Sequence, residues 1–259
     1  MNQFRQTAAA VLLAASLLLA GCGTQNPTGT DGTDDTQTPE AELVEIKNGV
    51  DRPGYYYENN LTDKAADPFI LYADDTYYLY CTGGSRFSVR QTKYPNAWPS
   101  ESKTILQLSS LGWAREKGWA PEVYAYEGKY YMIFSAQGYN DLHAIDIAVC
   151  DTPDGTFKPL SSTPFFAPAY SVIDGSLFFD DDGRIYMYYS KDNSTNTIGG
   201  KRTSQTYGIE LEKDFSGVIG EPVLISTPEQ EWELKSGSVV WNEGPVVFKE
   251  NGVYYLLYS

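Results

Sequence analysis

Four stretches of this chain repeat one pattern: an apolar or aromatic strand, a short polar turn, then a second strand of β-branched and aromatic residues. They are DPFILYADDTYYLYCTG from Asp67, APEVYAYEGKYYMIFSA from Ala120, DGSLFFDDDGRIYMYYS from Asp174 and EGPVVFKENGVYYLLYS from Glu243. The turns fall at Asp74-Asp75, Glu127-Gly128, Asp182-Gly183 and Asn251-Gly252, and the last three carry the glycine that tight hairpin turns favour. Their central tyrosines, Tyr78, Tyr131, Tyr186 and Tyr255, are spaced by 53, 55 and 69 residues. A repeat of that length, with further strand-like segments such as 144–149 between the hairpins, is the size of a propeller blade. Such blades are usually four-stranded sheets arranged about a channel. A β-sandwich with similar hairpins is the alternative, but it gives no reason for turn, strand and flanking acid to recur together. Residues 45–259 are expected to form this all-β domain, with about four blades present and the fourth reaching only its second strand at Ser259.

The segments before it read differently. A polar start with Arg5 precedes an apolar run from Ala8 to Leu19, too short to span a bilayer. Residues 1–21 are therefore expected to be a signal peptide. Leu19-Ala20-Gly21-Cys22 resembles a bacterial lipobox, which implies cleavage before Cys22 and lipidation of its sulfur. Residues 23–44 are rich in Thr, Gly, Asp and Pro and hold few large apolar groups, the composition of a flexible linker. Taken together these features predict an exported protein on a bacterial surface or facing the periplasm, touching the membrane only through its anchor.

Charge narrows the partners. The net charge is −15, with 34 acidic against 19 basic residues. Phosphates need Lys and Arg opposite them, so nucleic acid is excluded as an expected partner. Neutral sugars fit this balance, and a monomer is expected. Cys81 and Cys150 fall in strand-like segments of different repeats, where a disulfide and two free thiols are both open readings. Two Cys and the single His143, read as a surface or strand residue, do not make a metal site.

In a propeller, the first strand of every blade lines the axis, so residues at one repeat position converge. Asp67, Asp174 and Glu243 open that strand in three repeats, and Glu122 lies near the matching point in another. Crowded carboxylates repel one another, which gains nothing for folding but raises at least one pKa toward that of a general acid. Glycoside hydrolysis uses two such groups, one to protonate the leaving oxygen and one to activate water or attack carbon. Each acid alone also has a structural reading: Asp67 precedes Pro68, while Asp174-Gly175 and Glu243-Gly244-Pro245 suit turns. Asp180-Asp181-Asp182 before Gly183 reads as a hairpin turn rather than a calcium loop.

Four motifs then carry a family resemblance: Ala66-Asp67-Pro68, Trp119-Ala120-Pro121-Glu122, Ile173-Asp174-Gly175 with Phe179-Asp180-Asp181-Asp182-Gly183, and Asn242-Glu243-Gly244-Pro245. In this order they resemble glycoside hydrolase family 43. The resemblance implies a five-bladed β-propeller and inverting hydrolysis of arabinose- or xylose-containing plant polysaccharides or oligosaccharides. An inverting enzyme holds its two carboxyl groups roughly 6.5–9.5 Å apart to admit water. By position, the resemblance makes Asp67 the general base, Glu243 the general acid, and Asp174 the residue that orients and tunes that acid. Trp119 and Glu122 would lie beside the sugar, and Arg86 and Phe87 could reach the substrate. An α-L-arabinofuranosidase or β-xylosidase is the leading expectation, with an endo-1,5-α-L-arabinanase and a non-catalytic carbohydrate-binding propeller or inactive fragment as alternatives. No cofactor is required, no metal ligands are assigned, and a structural calcium stays open.

Overall fold

The computed structural model describes residues 62, 65–235 and 237–259. The expected signal peptide, the lipidated Cys22 and the linker all lie outside the described residues. Within them the chain is built from β-strands, with three short 3-10 turns and no α-helix.

The first four strands form one antiparallel sheet in sequence order: β1 (Phe69–Ala73), β2 (Thr76–Tyr80), β3 (Arg86–Thr92) and β4 (Lys103–Gln107). The next four repeat that order: β5 (Ala114–Tyr126), β6 (Lys129–Gly138), β7 (His143–Cys150) and β8 (Lys158–Pro159). The third repeat begins with β9 (Val172–Phe179) and β10 (Ile185–Lys191), then departs from the pattern. Two short strands, β11 (Thr197–Ile198) and β12 (Lys201–Thr203), intervene before β13 (Gln205–Leu211) and β14 (Val218–Ser226) complete a sheet ordered β14-β13-β10-β9. β15 (Val239–Val240) pairs in parallel with β12, making a separate three-stranded sheet, and β16 (Val246–Glu250) with β17 (Val253–Leu257) forms a fourth hairpin sheet. The propeller architecture expected from the repeats is the one observed, with four successive blade sheets in the described residues.

The turn residues set each hairpin. Asp74 and Asp75 (φ 49° and 54°), Glu127 and Gly128 (47° and 75°), and Asn251 and Gly252 (51° and 76°) are all left-handed. That pairing of dihedrals is the type I′ turn, whose twist matches the strands it joins. The third hairpin differs from the reading of Asp182-Gly183 as a two-residue turn. Asp180 N–H bonds the Arg184 carbonyl and Gly183 N–H bonds the Asp180 carbonyl, so the loop is the three residues 181–183 with Gly183 at φ 77°. A three-residue loop ending in a left-handed glycine is the next commonest hairpin form.

The core lies between the sheets. Tyr80 and Phe87 of the first sheet meet Met132 and Phe134 of the second, with the Phe87 and Phe134 rings 5.0 Å apart. Ile133, Ile145 and Ile147 face the other way, onto Val172, Met187 and Tyr189 of the third sheet. Successive residues of β6 thus serve two cores, which is why this strand is apolar on both faces instead of alternating. Each fully buried side chain of this size contributes about 1.5–3 kcal/mol. Between the third and fourth sheets the contact is partly ionic. Lys249 Nζ lies 2.8 Å from Asp180 Oδ1 and 2.9 Å from Asp181 Oδ2, and Tyr254 OH donates to Asp180 Oδ2 at 2.7 Å. Cys81 and Cys150 are both free thiols, which resolves the two readings left open above.

Candidate active site

One backbone position recurs at the mouth of every blade. Asp67 stands six residues before Ala73, the last paired residue of β1, and Ala120 stands the same distance before Tyr126. Asp174 has that offset from Asp180, and Gly244 has it from Glu250. All four are left-handed, with φ of 49°, 44°, 54° and 61°. The pairing register slips around two of these residues, between Trp119 and Glu122 and opposite the interval Tyr188 to Ser190. Bulges of this kind re-aim side chains, and here they turn the strand entrances toward a common space.

The alignment of the four acids is therefore looser than the sequence suggested. Asp67 and Asp174 do occupy the repeated position. Glu243 sits one residue before it, where Gly244 holds the left-handed site, and Glu122 sits two residues after Ala120. All four still converge. A cavity of about 260 Å³ is lined by Asp67, Glu122, Asp174 and Glu243, with Pro68, Pro121 and Gly244 among its walls. Asp174-Gly175 is strand, not turn. A Cβ on Gly175 would come within 2.9 Å of Ile133 Cδ1, so only glycine lets β9 pass this close to β6.

Hydroxyls recur at a second matched position, and two of them tie neighbouring blades. Thr82, Ser135, Ser190 and Ser259 lie opposite Ala66, Trp119, Ile173 and Glu243 across their hairpins. Thr82 Oγ1 donates to Asp67 Oδ2 and accepts from Ala120 N–H of the next sheet at 2.9 Å. Ser135 Oγ likewise accepts from Asp174 N–H at 3.0 Å. The series breaks at the next junction, where Gly244 N–H donates to the Asp174 carboxylate at 3.1 Å. The Ser190 hydroxyl is buried and has no hydrogen-bond partner among the described residues.

Burial raises the pKa of three of the acids. Asp174 is pushed up to about 7, first by desolvation and then by the nearby Glu243 carboxylate, with the Gly244 N–H opposing. Glu122 also rises to about 7 through desolvation, against hydrogen bonds from Tyr124 and Ser176. Glu243 is raised by desolvation and by Asp192, while donors from Ser204 and Asn193 hold it back. A half-buried carboxyl kept protonated toward neutral pH can deliver a proton, and an ionised one across the cavity can receive one.

The other residues singled out in the sequence are placed less uniformly. Trp119 does not line the cavity; its ring stacks on His143 with centroids 4.4 Å apart. His143 is in a strand, as expected, but it is 5% exposed rather than a surface residue, and burial pulls its pKa down to about 4. Arg86 is exposed and is not among the cavity residues. Phe87 is a correction: it is fully buried between the first two sheets against Phe134, where it cannot meet a substrate. Its place in β3, with Val89, follows from the alternation that sends these side chains inward. Asn193 and Ser204, which hold the Glu243 carboxylate, went unnoticed, because nothing in a polar run such as Asn193-Ser194-Thr195-Asn196 says which long-range carboxylate it meets.

Comparison with known proteins agrees with this arrangement. The family model described as glycosyl hydrolases family 43 matches residues 58–259. An extracellular exo-α-(1→5)-L-arabinofuranosidase of Streptomyces chartreusis is 27% identical over 212 residues, covering 78% of this chain and 62% of that protein. A xylosidase/arabinosidase 43A of Humicola insolens is 35% identical over 95 residues, covering 37% of this chain and 28% of that protein. The chain thus spans less than two thirds of the length of either relative. Among solved structures, a thermostable family-43 glycoside hydrolase is similar at 37% identity and TM-score 0.70, covering 76% of this chain and 66% of that one. An endo-arabinase from Bacteroides thetaiotaomicron is similar at 26% identity and TM-score 0.65, covering 75% and 69%.

Proposed function

We propose, on the premise that this chain belongs to glycosyl hydrolases family 43, that it hydrolyses arabinose- or xylose-containing glycans by a single displacement. The observation that carries this reading is the convergence of Asp67, Asp174 and Glu243, from three different sheets, on one cavity. In the proposed reaction Glu243 gives its proton to the glycosidic oxygen as the bond to the anomeric carbon breaks and that bond's electrons pass to the oxygen. Asp67 takes a proton from the attacking water as its oxygen bonds to the same carbon. Asp174 accepts a hydrogen bond from Gly244 N–H, which fixes the backbone next to the acid, and the nearby Glu243 carboxylate helps to raise the pKa of Asp174. Glu243 and Asp67 supply both proton transfers, so no cofactor is invoked.

An exo-acting α-L-arabinofuranosidase or β-xylosidase is the reading favoured within this class. The cavity is at the small end for small-molecule sites, which suits a terminal sugar better than a run of them. The similarity to an endo-arabinase supports an endo-1,5-α-L-arabinanase as the second reading. Assays on aryl arabinofuranoside, aryl xyloside and linear arabinan separate the two by product size. Glu243→Gln should reduce turnover at least about a hundredfold while sparing sugar binding. Full turnover in that variant would remove Glu243 from its role.

A structural calcium finds no support at the Asp180-Asp181-Asp182 turn, whose carboxylates face Lys249 and Arg184. Among the described residues no group of three or more His, Cys, Asp or Glu could hold a metal ion. The leader and Leu19-Ala20-Gly21-Cys22 support export and lipid anchoring, and the similarity to an extracellular Streptomyces arabinofuranosidase supports export alone. Cys22→Ala should move the protein from the membrane fraction to the soluble one; unchanged fractionation would refute the anchor.

A further inference from the structure

The third blade carries an insertion that the first two blades lack, residues 192–204 between β10 and β13, and it is built against the segment that bears Glu243. β12 pairs with β15, and Ser204 N–H bonds the Val240 carbonyl at 3.0 Å, so the insertion and the approach to Glu243 form one small sheet. From it two donors reach a single oxygen of the acid. Ser204 Oγ donates to Glu243 Oε1, and Asn193 Nδ2 reaches the same Oε1 at 3.2 Å. The Ser204 hydroxyl in turn accepts from the Asn193 backbone N–H at 3.1 Å and from its Nδ2 at 3.3 Å. Asn193 and Ser204 are both buried, so neither exchanges these partners freely with water.

The amide of Asn193 has two possible orientations, and only one presents Nδ2 to the carboxyl. Arg202 selects it. Its guanidinium donates to Asn193 Oδ1 through Nη2 at 2.6 Å and through Nε at 3.2 Å, and a guanidinium has no acceptor with which to tolerate the flipped amide. Arg202 itself is exposed, on the central strand of the small sheet, and touches the acid only through Asn193.

We infer that Arg202, Asn193 and Ser204 are a positioning relay for Glu243: they confine its hydrogen bonding to Oε1 and so assign Oε2 as the oxygen that carries the transferable proton. The inference rests on the proposed role of Glu243 as the general acid. Without the relay the carboxyl rotates, and the proton is no longer presented to the leaving oxygen. A substrate whose leaving group needs no protonation is indifferent to that loss, whereas one with a basic leaving group is not.

The test uses the full chain with Asn193→Ala and, because Asn193 is buried, Arg202→Ala at the exposed end of the relay. Turnover is compared across aryl glycosides of graded leaving-group acidity. In both variants the least acidic leaving groups should slow by about tenfold or more, while the most acidic slow by less than about threefold. A second readout needs no turnover: titration of the Glu243 carboxyl by carbon-13 NMR, its signal assigned by its disappearance in Glu243→Gln. The charged groups facing Glu243 are the carboxylates of Asp192 and Asp174, and neither is altered. Removing Asn193, a donor to the ionised form, should raise the midpoint by about half a pH unit or more. Equal slowing for every leaving group, or an unchanged midpoint in both variants, overturns the relay and leaves the role of Glu243 standing. Turnover that survives Glu243→Gln overturns that role and the relay with it.

Discussion

Glu122 lines the cavity with its carboxyl out of water and hydrogen-bonded to Tyr124. Its folded-state pKa of about 7 lies above the ordinary carboxylate value, so the folded protein holds this proton more tightly than the unfolded chain does. The folded state is therefore favoured most at low pH at this site, and that advantage is lost as pH rises from about 4 through 7. Glu122→Gln should leave stability near pH 4 almost unchanged and raise it above pH 7, by about 1–3 kcal/mol. Urea unfolding at both pH values checks this, and a variant less stable above pH 7 would contradict it. Asp174, also near 7, follows the same sign. The presence of these acids was legible in the sequence, since four of them stood near repeated positions. Their register was not, because the bulges at Trp119 to Glu122 and opposite Tyr188 to Ser190 shift the strand without leaving a mark in residue type.

The blade hairpins were the most legible elements, because turn residues and strand alternation are local signals. Even Asp74-Asp75, with no glycine, takes the type I′ conformation, since Asp tolerates left-handed backbone better than most side chains. The hydroxyl that follows a hairpin was not legible as a link between blades; Thr82 and Ser135 declare themselves only when their partners Ala120 and Asp174 are in view. Ser135 and Ser190 make opposite predictions. Ser135 Oγ satisfies the N–H of Asp174, so Ser135→Ala should cost about 1–3 kcal/mol by leaving that donor unpaired. Ser190 occupies the matching place, but its expected donor on Gly244 is taken by Asp174. Ser190→Ala should be neutral or slightly stabilising. Comparable losses in both variants, measured by chemical denaturation, would show that matched position and not hydrogen bonding decides the cost.

Across the whole molecule the sheets are not joined in the same way. Apolar side chains fill the first two junctions, while Lys249, Asp180 and Tyr254 mark the third. Asp180 is held down to about 2 by its bonds from Lys249 and Tyr254. A depressed carboxyl contributes stability that is present above its unfolded pKa near 4 and lost as pH falls through 2. Acidification from pH 4 to 2 should thus loosen the fourth sheet first, and Asp180→Asn should both lower the melting temperature at neutral pH and flatten its acid dependence. Hydrogen exchange at β16 and β17 reads this out; uniform exchange across all four sheets would argue against a local opening. The four left-handed strand entrances have a different bearing, on how such a protein is altered by design or by descent. They hold Asp, Ala, Asp and Gly on one backbone geometry, and so act as interchangeable mounting points. Chemistry can be relocated from one mounting point to another by a single codon, without rebuilding a loop. Ala120, which brings neither a carboxylate nor the freedom of glycine to its site, is the mounting point still unclaimed.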